Sequence, residues 1–306
     1  MTIVSSSTGA FFERARQDMT ALRSQTEQVQ TQIGSGQRLD RSSDDPVAAS
    51  RLRMLARSDK LAKIDSTSAN RASADLTLAD AALSDIADAI GRAKVLAQQA
   101  ANGTMTDQQR ASIGKELEAL HGSILLLANS EDSTGHALFG GQSANQAYTL
   151  DAAGNAVYVG SGASGELPLG EGQSVTRSLT GPEFLNFTAS AGSADLMGTI
   201  KTLADALQGG SPDPAGAARN SLDALSAGLD AVTTGQTIIG ARLAWIDVAG
   251  QQRTSRDELR AGEEMDVGGT DTASSIAKLQ EMMVVLQASQ ASFAKVAGLS
   301  LFNQLN

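Results

Sequence analysis

Apolar or small residues fall at Phe12, Ala15, Met19, Leu22, Val29 and Ile33, and Thr26 fills the one polar slot in an otherwise unbroken 3,4,3,4 spacing. Such spacing keeps a narrow stripe along one side of a helix, the seam of a coiled coil. A second stripe closes the chain at Ile276, Leu279, Met283, Leu286, Phe293 and Ala297, with Gln290 in its polar slot and Leu301 and Phe302 just beyond. Stripes this narrow find no cover in a short local hairpin. The two ends are therefore expected to pair with each other and then with neighbouring molecules. The plainer reading makes both stripes inner faces of one large bundle. It is disfavoured by the breaks that set the ends apart, Gly34 and Gly36 after the first stripe and the polar stretch 251–269 before the second.

Between the ends the pattern stays helical. Asp45 reads as an N-cap and Pro46 as the first helical residue, where its missing N–H costs nothing. From there a helix is predicted to about Ala101, settling into Ala72, Leu76, Ala79, Leu83, Ile86, Ile90, Ala93, Ala97 and Ala100. Roughly 55 residues at 1.5 Å each make a rod of about 80 Å. Asn102-Gly103 breaks it, and Thr106 with Gln109 forms a capping box for a third helix carrying Ile113, Leu117, Leu120, Ile124 and Leu127. The short connection makes this helix antiparallel to the second.

From Gly135 to Gly192 glycines cluster, both tyrosines appear, and Arg177 is the single basic residue, a texture that predicts a small β-rich insertion with tight turns. Helical spacing resumes at Leu196, Ile200, Leu203 and Leu207, pauses at Gly209-Gly210-Ser211-Pro212, and returns through Leu222, Leu225, Leu229, Val232, Ile239, Leu243 and Ile246. The expected fold class is mainly α: a long coiled-coil and helical-bundle rod built from both chain ends, with a small β-rich inserted domain. The expected divisions are an assembly helix at 1–36, the outgoing rod at 37–141, the insertion at 142–195, the returning rod at 196–262 and a second assembly helix at 263–306.

Charge and composition remove several functions. A formal net charge of -10 repels nucleic acid and anionic lipid, so neither is an expected partner. No cysteine occurs, which removes disulfides, thiolate metal sites and cysteine nucleophiles. The opening residues lack a basic region followed by an apolar one, and no apolar run is long enough to insert into a membrane, so neither a cleaved signal peptide nor a membrane span is expected.

Four local motifs bear on chemistry. Gly160, Gly162 and Gly165 spell G-x-G-x-x-G after a strand-like segment, but Pro168, Gly170 and Gly172 follow where a phosphate-binding helix should begin. Ser275 and Lys278 spell S-x-x-K without the companion motifs of that nucleophile. His121 and His136 have no third ligand at metal spacing and read as surface or boundary residues. Asp44 and Asp45 stand at a helix start, where both carboxylates favour the positive end of the dipole. No catalytic residue, cofactor or metal is therefore expected.

Several of these residues carry a resemblance. Ser35-Gly36-Gln37-Arg38, followed by Ser42-Ser43-Asp44-Asp45-Pro46-Val47-Ala48-Ala49, resembles the amino-terminal signature of bacterial flagellin-like axial proteins. Gln98-Gln99-Ala100-Ala101-Asn102-Gly103-Thr104 is similar to the end of their long rod helix, and Leu138-Phe139-Gly140-Gly141 to the turn into their outer domain. The carboxyl end, Ala291-Ser292-Phe293-Ala294-Lys295-Val296 and Leu299-Ser300-Leu301-Phe302-Asn303, resembles the hook-associated branch of that family. Flagellins usually have Asp-Asp-Ala-Ala-Gly where this chain has Asp-Asp-Pro-Val-Ala.

The resemblance implies a structural, non-enzymatic subunit of the extracellular flagellum, exported by the flagellar type III apparatus without a cleaved signal. It implies a junction role between hook-associated protein 1 and flagellin, contact with copies of itself, and an export chaperone on the carboxyl-terminal helix. The assembly contacts are then expected at Phe12, Met19, Leu22, Val29, Ile33, Ile276, Leu279, Met283, Leu286, Phe293, Leu301 and Phe302. The competing readings are a short flagellin that forms the filament itself and, more remotely, a secreted enzyme with its site in the β insertion.

Overall fold

A computed structural model describes residues 3–302 apart from Glu171, with side chains described over 9–296 apart from Glu171. Long helices dominate: α1 (Ile3–Ser35), α2 (Pro46–Ala100), α3 (Asp107–Ala128), α5 (Leu196–Asp205), α6 (Pro214–Gly268) and α7 (Thr272–Phe302). Between α3 and α5 lie strands β1 (Tyr148–Leu150), β2 (Ala156–Tyr158), β3 (Glu166–Gly170), β4 (Gln173–Thr176), β5 (Asn186–Ala189) and β6 (Gly192–Asp195), with the short helix α4 (Gly181–Leu185) before β5. The fold class is thus mainly α, with long helices from both chain ends and a small β-containing middle. The residues divide into two compact units, one of Leu61–Thr254 and one of Met1–Lys60 with Ser255–Asn306.

In the unit of Leu61–Thr254 the spacing read from α2 becomes a buried face. Ala72, Leu76, Ala79, Leu83, Ile86, Ile90, Ala93, Ala97 and Ala100 are all inaccessible. Opposing them on α6 are Ala218, Leu225, Val232, Ile239 and Ile246, one every seven residues. Ile113, Leu117 and Ile124 of α3 and Leu196, Ile200 and Leu203 of α5 complete one core. Alanine on the central face lets helix backbones approach closely without leaving a gap. Gly114 serves the same end on α3: a Cβ there would lie 2.8 Å from Gln208 Cγ and 2.9 Å from the Ala204 carbonyl oxygen.

Thr106 caps α3 with its side chain while Gln109 reaches back to the Thr106 amide. A turn with π-type hydrogen bonding at Ala206–Gly210, holding Gly209 at φ 109°, ends the α5 segment before α6 begins.

The strands form three separate antiparallel hairpins, β1-β2, β3-β4 and β5-β6. Two short strands are marginal alone, so each hairpin depends on what it packs against. Phe139 and Phe184 supply that support, fully buried and edge-to-face with ring centroids 4.8 Å apart. Leu169, Val175 and Leu179 join the same core. Below β4, Arg177 binds two buried carboxylates: its Nε donates to Asp75 Oδ2 of α2 at 2.9 Å and its Nη2 to Asp132 Oδ2. Asp132 Oδ1 also accepts from the Thr134 amide, the Thr134 hydroxyl and the His136 amide.

In α6 and α3 the sequence reading departs from the observed structure. The polar stretch 251–269 does not interrupt α6, which runs to Gly268. Ion pairs hold that polar segment to α2: Arg51 grips Glu263 with two hydrogen bonds, and Arg260 Nε donates to Asp59 Oδ1 at 2.9 Å. His121, expected at the surface or boundary, is buried instead, on a side of α3 near Lys201 and Asp205 of α5.

Candidate assembly surface

In the unit of Met1–Lys60 and Ser255–Asn306, α1 and α7 pack against each other as an antiparallel pair. Its closed end is a short backbone ladder. Gln37 bridges Gly269, the Arg38 amide donates to the Gly268 carbonyl at 2.8 Å, and the Thr270 amide donates to the Gly36 carbonyl at 3.0 Å. Gly36 makes the turn possible at φ 70°, a left-handed conformation that residues with a Cβ adopt reluctantly. Toward the free ends, the rings of Phe12 and Phe293 meet edge-on, 5.4 Å apart.

On α1 the inward-facing residues are Phe12, Ala15, Met19, Leu22, Thr26, Val29 and Ile33. Thr26 is tolerated in a nearly closed position because its hydroxyl donates to the Leu22 carbonyl at 2.8 Å, so no polar atom is left unpaired there.

On α7 the inward residues are Ser275, Leu279, Met282, Leu286, Ser289 and Phe293. Leu279, Leu286 and Phe293 lie where their spacing put them. Ile276 and Met283 do not: they are 45% and 44% exposed, and Met282, at 7%, takes the inner position. The cause is the continuous apolar run Met282 to Leu286, which satisfies two registers one residue apart. The helix adopts the register that seats two serines, small enough for close approach, and turns Ile276 and Gln290 outward. Leu301 and Phe302 lie in the last turn of α7, and their side chains fall outside the described residues.

The same register leaves apolar residues exposed on both flanks of α7 and on its outer side. Ile276, Met283, Val284, Val285 and Val296 on α7 and Phe11 on α1 are all exposed. Scattered exposed apolar residues are ordinary, but several along one helix mark a surface for further packing.

At the start of α2, Asp45 Oδ1 accepts from the Ala48 amide at 3.0 Å, and Pro46 is the first helical residue. The Ala48 amide first, and then Arg38 at 3.2 Å, hold the Asp45 carboxyl below its usual range. Asp44 does something else: it accepts from the Arg41 amide at 2.9 Å and so braces the preceding turn. Arg38 also donates to the Val267 carbonyl, which ties this turn to the end of α6.

Among the described residues no three His, Asp or Glu side chains come together for a metal ion, and no helix is long and apolar enough to cross a membrane. The Gly160 to Gly165 motif lies in the connection between β2 and β3, with a strand and not a helix after it. Ser275 faces α1, and Lys278 is exposed three residues on.

Residues 7–144 match the family of bacterial flagellin N-terminal helical regions. Flagellar hook-associated protein 3 of Salmonella typhimurium is 26% identical over 98% of this chain and 99% of its own length. Solved structures share the fold, two of them as follows. FlgL of Xanthomonas campestris, 18% identical, covers 68% of this chain and 98% of its own with a TM-score of 0.61. The flagellar junction protein FlgL of Legionella pneumophila, 14% identical, covers 71% and 99% with a TM-score of 0.59. The chain is thus similar over residues 7–144 to flagellin N-terminal helical regions and, over nearly its whole length, to flagellar hook-associated protein 3.

Proposed function

We propose that this chain is a structural subunit of the bacterial flagellum, a junction between the hook-associated zone and the flagellin filament. The observation that carries this reading is the α1–α7 pair: an inner seam that joins the chain ends, and a flank on which Ile276, Met283 and Val284 are 45%, 44% and 64% exposed. Burying about 25 cal/mol per Å² of such surface between subunits couples assembly to the ordering of the ends. In this reading residues 1–36 and 263–306 are the assembly segments. The junction meets hook-associated protein 1 on one side and flagellin on the other, with copies of itself between. The chain leaves the cell without a cleaved signal peptide, with a chaperone holding α7 until then, and it performs no catalysis.

Deleting the gene tests the role. The expected result is bare hooks with flagellin released into the medium, corrected by the full chain and not by a chain ending at Leu279. Normal filaments on the deletion strain, or full correction by the shortened chain, would overturn the proposal. Long fibres grown by the purified chain alone on filament seeds would favour a filament-forming flagellin instead.

A further inference from the structure

The connection between α2 and α3 holds the one Asn-Gly pair of the sequence, Asn102-Gly103. Both residues are exposed. The side-chain carbonyl carbon of an asparagine lies a single ring closure away from the backbone nitrogen that follows it, and a glycine leaves that nitrogen uncrowded. Closure needs a nitrogen free to attack, a polarised carbonyl and a way out for ammonia.

All of these meet at Asn102. Among the described residues, nothing accepts a hydrogen bond from the Gly103 amide or from Asn102 Nδ2. Asn102 Oδ1 accepts twice, from the Thr104 amide at 3.1 Å and from the Thr104 hydroxyl at 3.0 Å. Those donors face the oxygen on which negative charge collects when its carbon is attacked. The side of Gly103 where a Cβ would stand is open space, so water reaches the site. Other asparagines are held back. Asn129 spends both ends of its amide on Tyr148, donating to the carbonyl at 2.9 Å and accepting from the amide at 2.8 Å. Asn220 lies inside α6, where the amide after it is committed to the helix.

We propose that Asn102 is a self-modification site, converted by water to isoaspartate. The Gly103 nitrogen attacks Asn102 Cγ and gives its proton to water. The N–Cγ bond forms, the Cγ–Nδ2 bond breaks, and Nδ2 leaves as ammonia with a proton taken back from water. A water molecule then opens the cyclic imide. Cleavage between the Gly103 nitrogen and the Asn102 backbone carbonyl carbon gives isoaspartate, and cleavage between that nitrogen and Cγ gives aspartate. Arg110 directs the choice: its Nη2 donates to the Asn102 backbone carbonyl at 2.9 Å, and its Nε to the Ala100 carbonyl at 3.1 Å. A cation on the backbone carbonyl draws the attack of water to that carbon, and the carboxylate released there is one that Arg110 already binds. The modified site stands independently of the junction role proposed above.

The full-length chain is warmed at neutral pH, sampled over weeks, digested and weighed by mass spectrometry. Asn102 is expected to show the mass change of an amide-to-acid exchange about tenfold faster than Asn129 or Asn220, with isoaspartate, told from aspartate by electron-transfer fragmentation, in excess. Gly103→Ala has room for its methyl group, so it should keep the helical circular dichroism of the parent and slow the exchange about tenfold. Thr104→Val removes the hydroxyl donor alone and should slow it about threefold. An Asn102 that lasts as long as Asn129, or an exchange indifferent to Gly103→Ala, overturns the site. An unchanged rate in Thr104→Val overturns the part given to Thr104, and aspartate in excess overturns the part given to Arg110.

Discussion

Replacing Arg177 with methionine removes the single cation between two carboxylates, those of Asp75 and Asp132, each 1% exposed. The two are not left equally bare. Asp132 keeps the Thr134 and His136 donors, whereas Asp75 loses its one bonded donor, and its other oxygen already has none. Breaking a buried pair from one side costs about 3–5 kcal/mol. The lower end applies here, about 3 kcal/mol, because the Arg177 side chain is 31% exposed and water can follow it out. For a cooperative unit of 150–250 residues, that loss lowers the melting temperature by about 6–12 °C. Differential scanning calorimetry of Arg177→Met at neutral pH gives the number, and Asp75→Asn with Arg177→Met should recover about half of it. A drop of less than about 2 °C, or a double variant no more stable than the single, would refute the view that the pair offsets a buried charge.

Neighbouring methionines on α7 should separate folding from assembly: Met282→Glu lowers helical circular dichroism by opening the α1–α7 pair, whereas Met283→Glu preserves it and abolishes incorporation into flagella. Equal behaviour of the two would contradict the register described above. His121 gives a pH signature. Burial first, and then Lys201 of α5, push its ring below the ordinary value of 6.5, while Glu118 of α3 and Asp205 of α5 pull it partly back. A depressed histidine favours the neutral form in the fold, so its contribution is complete above about pH 6.5 and is lost as the pH falls through the folded value. Melting temperatures at pH 7.5 and 5.5 should therefore differ less for His121→Gln than for the parent. Gly114→Ala forces a methyl against the Ala204 carbonyl and should cost about 1–3 kcal/mol by urea unfolding.

The α1 seam was legible residue by residue because from Met19 to Ile33 its large apolar positions stand apart from one another, so a single register fits. The α7 seam was legible as a stripe and not as a register. Met282, Met283, Val284, Val285 and Leu286 are all apolar, and the choice between two phases depends on which side chains α1 can accept, a fact that belongs to the partner helix. The continuation of α6 through 251–268 was hidden for a related reason. Periodicity of apolar residues is silent where ion pairs do the holding, and Arg51–Glu263 and Arg260–Asp59 join residues about two hundred positions apart. The central α2 face was plain because alanine and leucine alternate there with charged residues over many turns.

Hydrogen exchange on α1 and α7, measured in the free chain and again in isolated flagella, bears most directly on the claim that the chain ends complete their burial between subunits. The account predicts amides that exchange at least a hundredfold more slowly in the flagellum over 9–35 and 272–296, with little change over the core of α2 and α3. Equal protection of those segments in the solitary chain would contradict it.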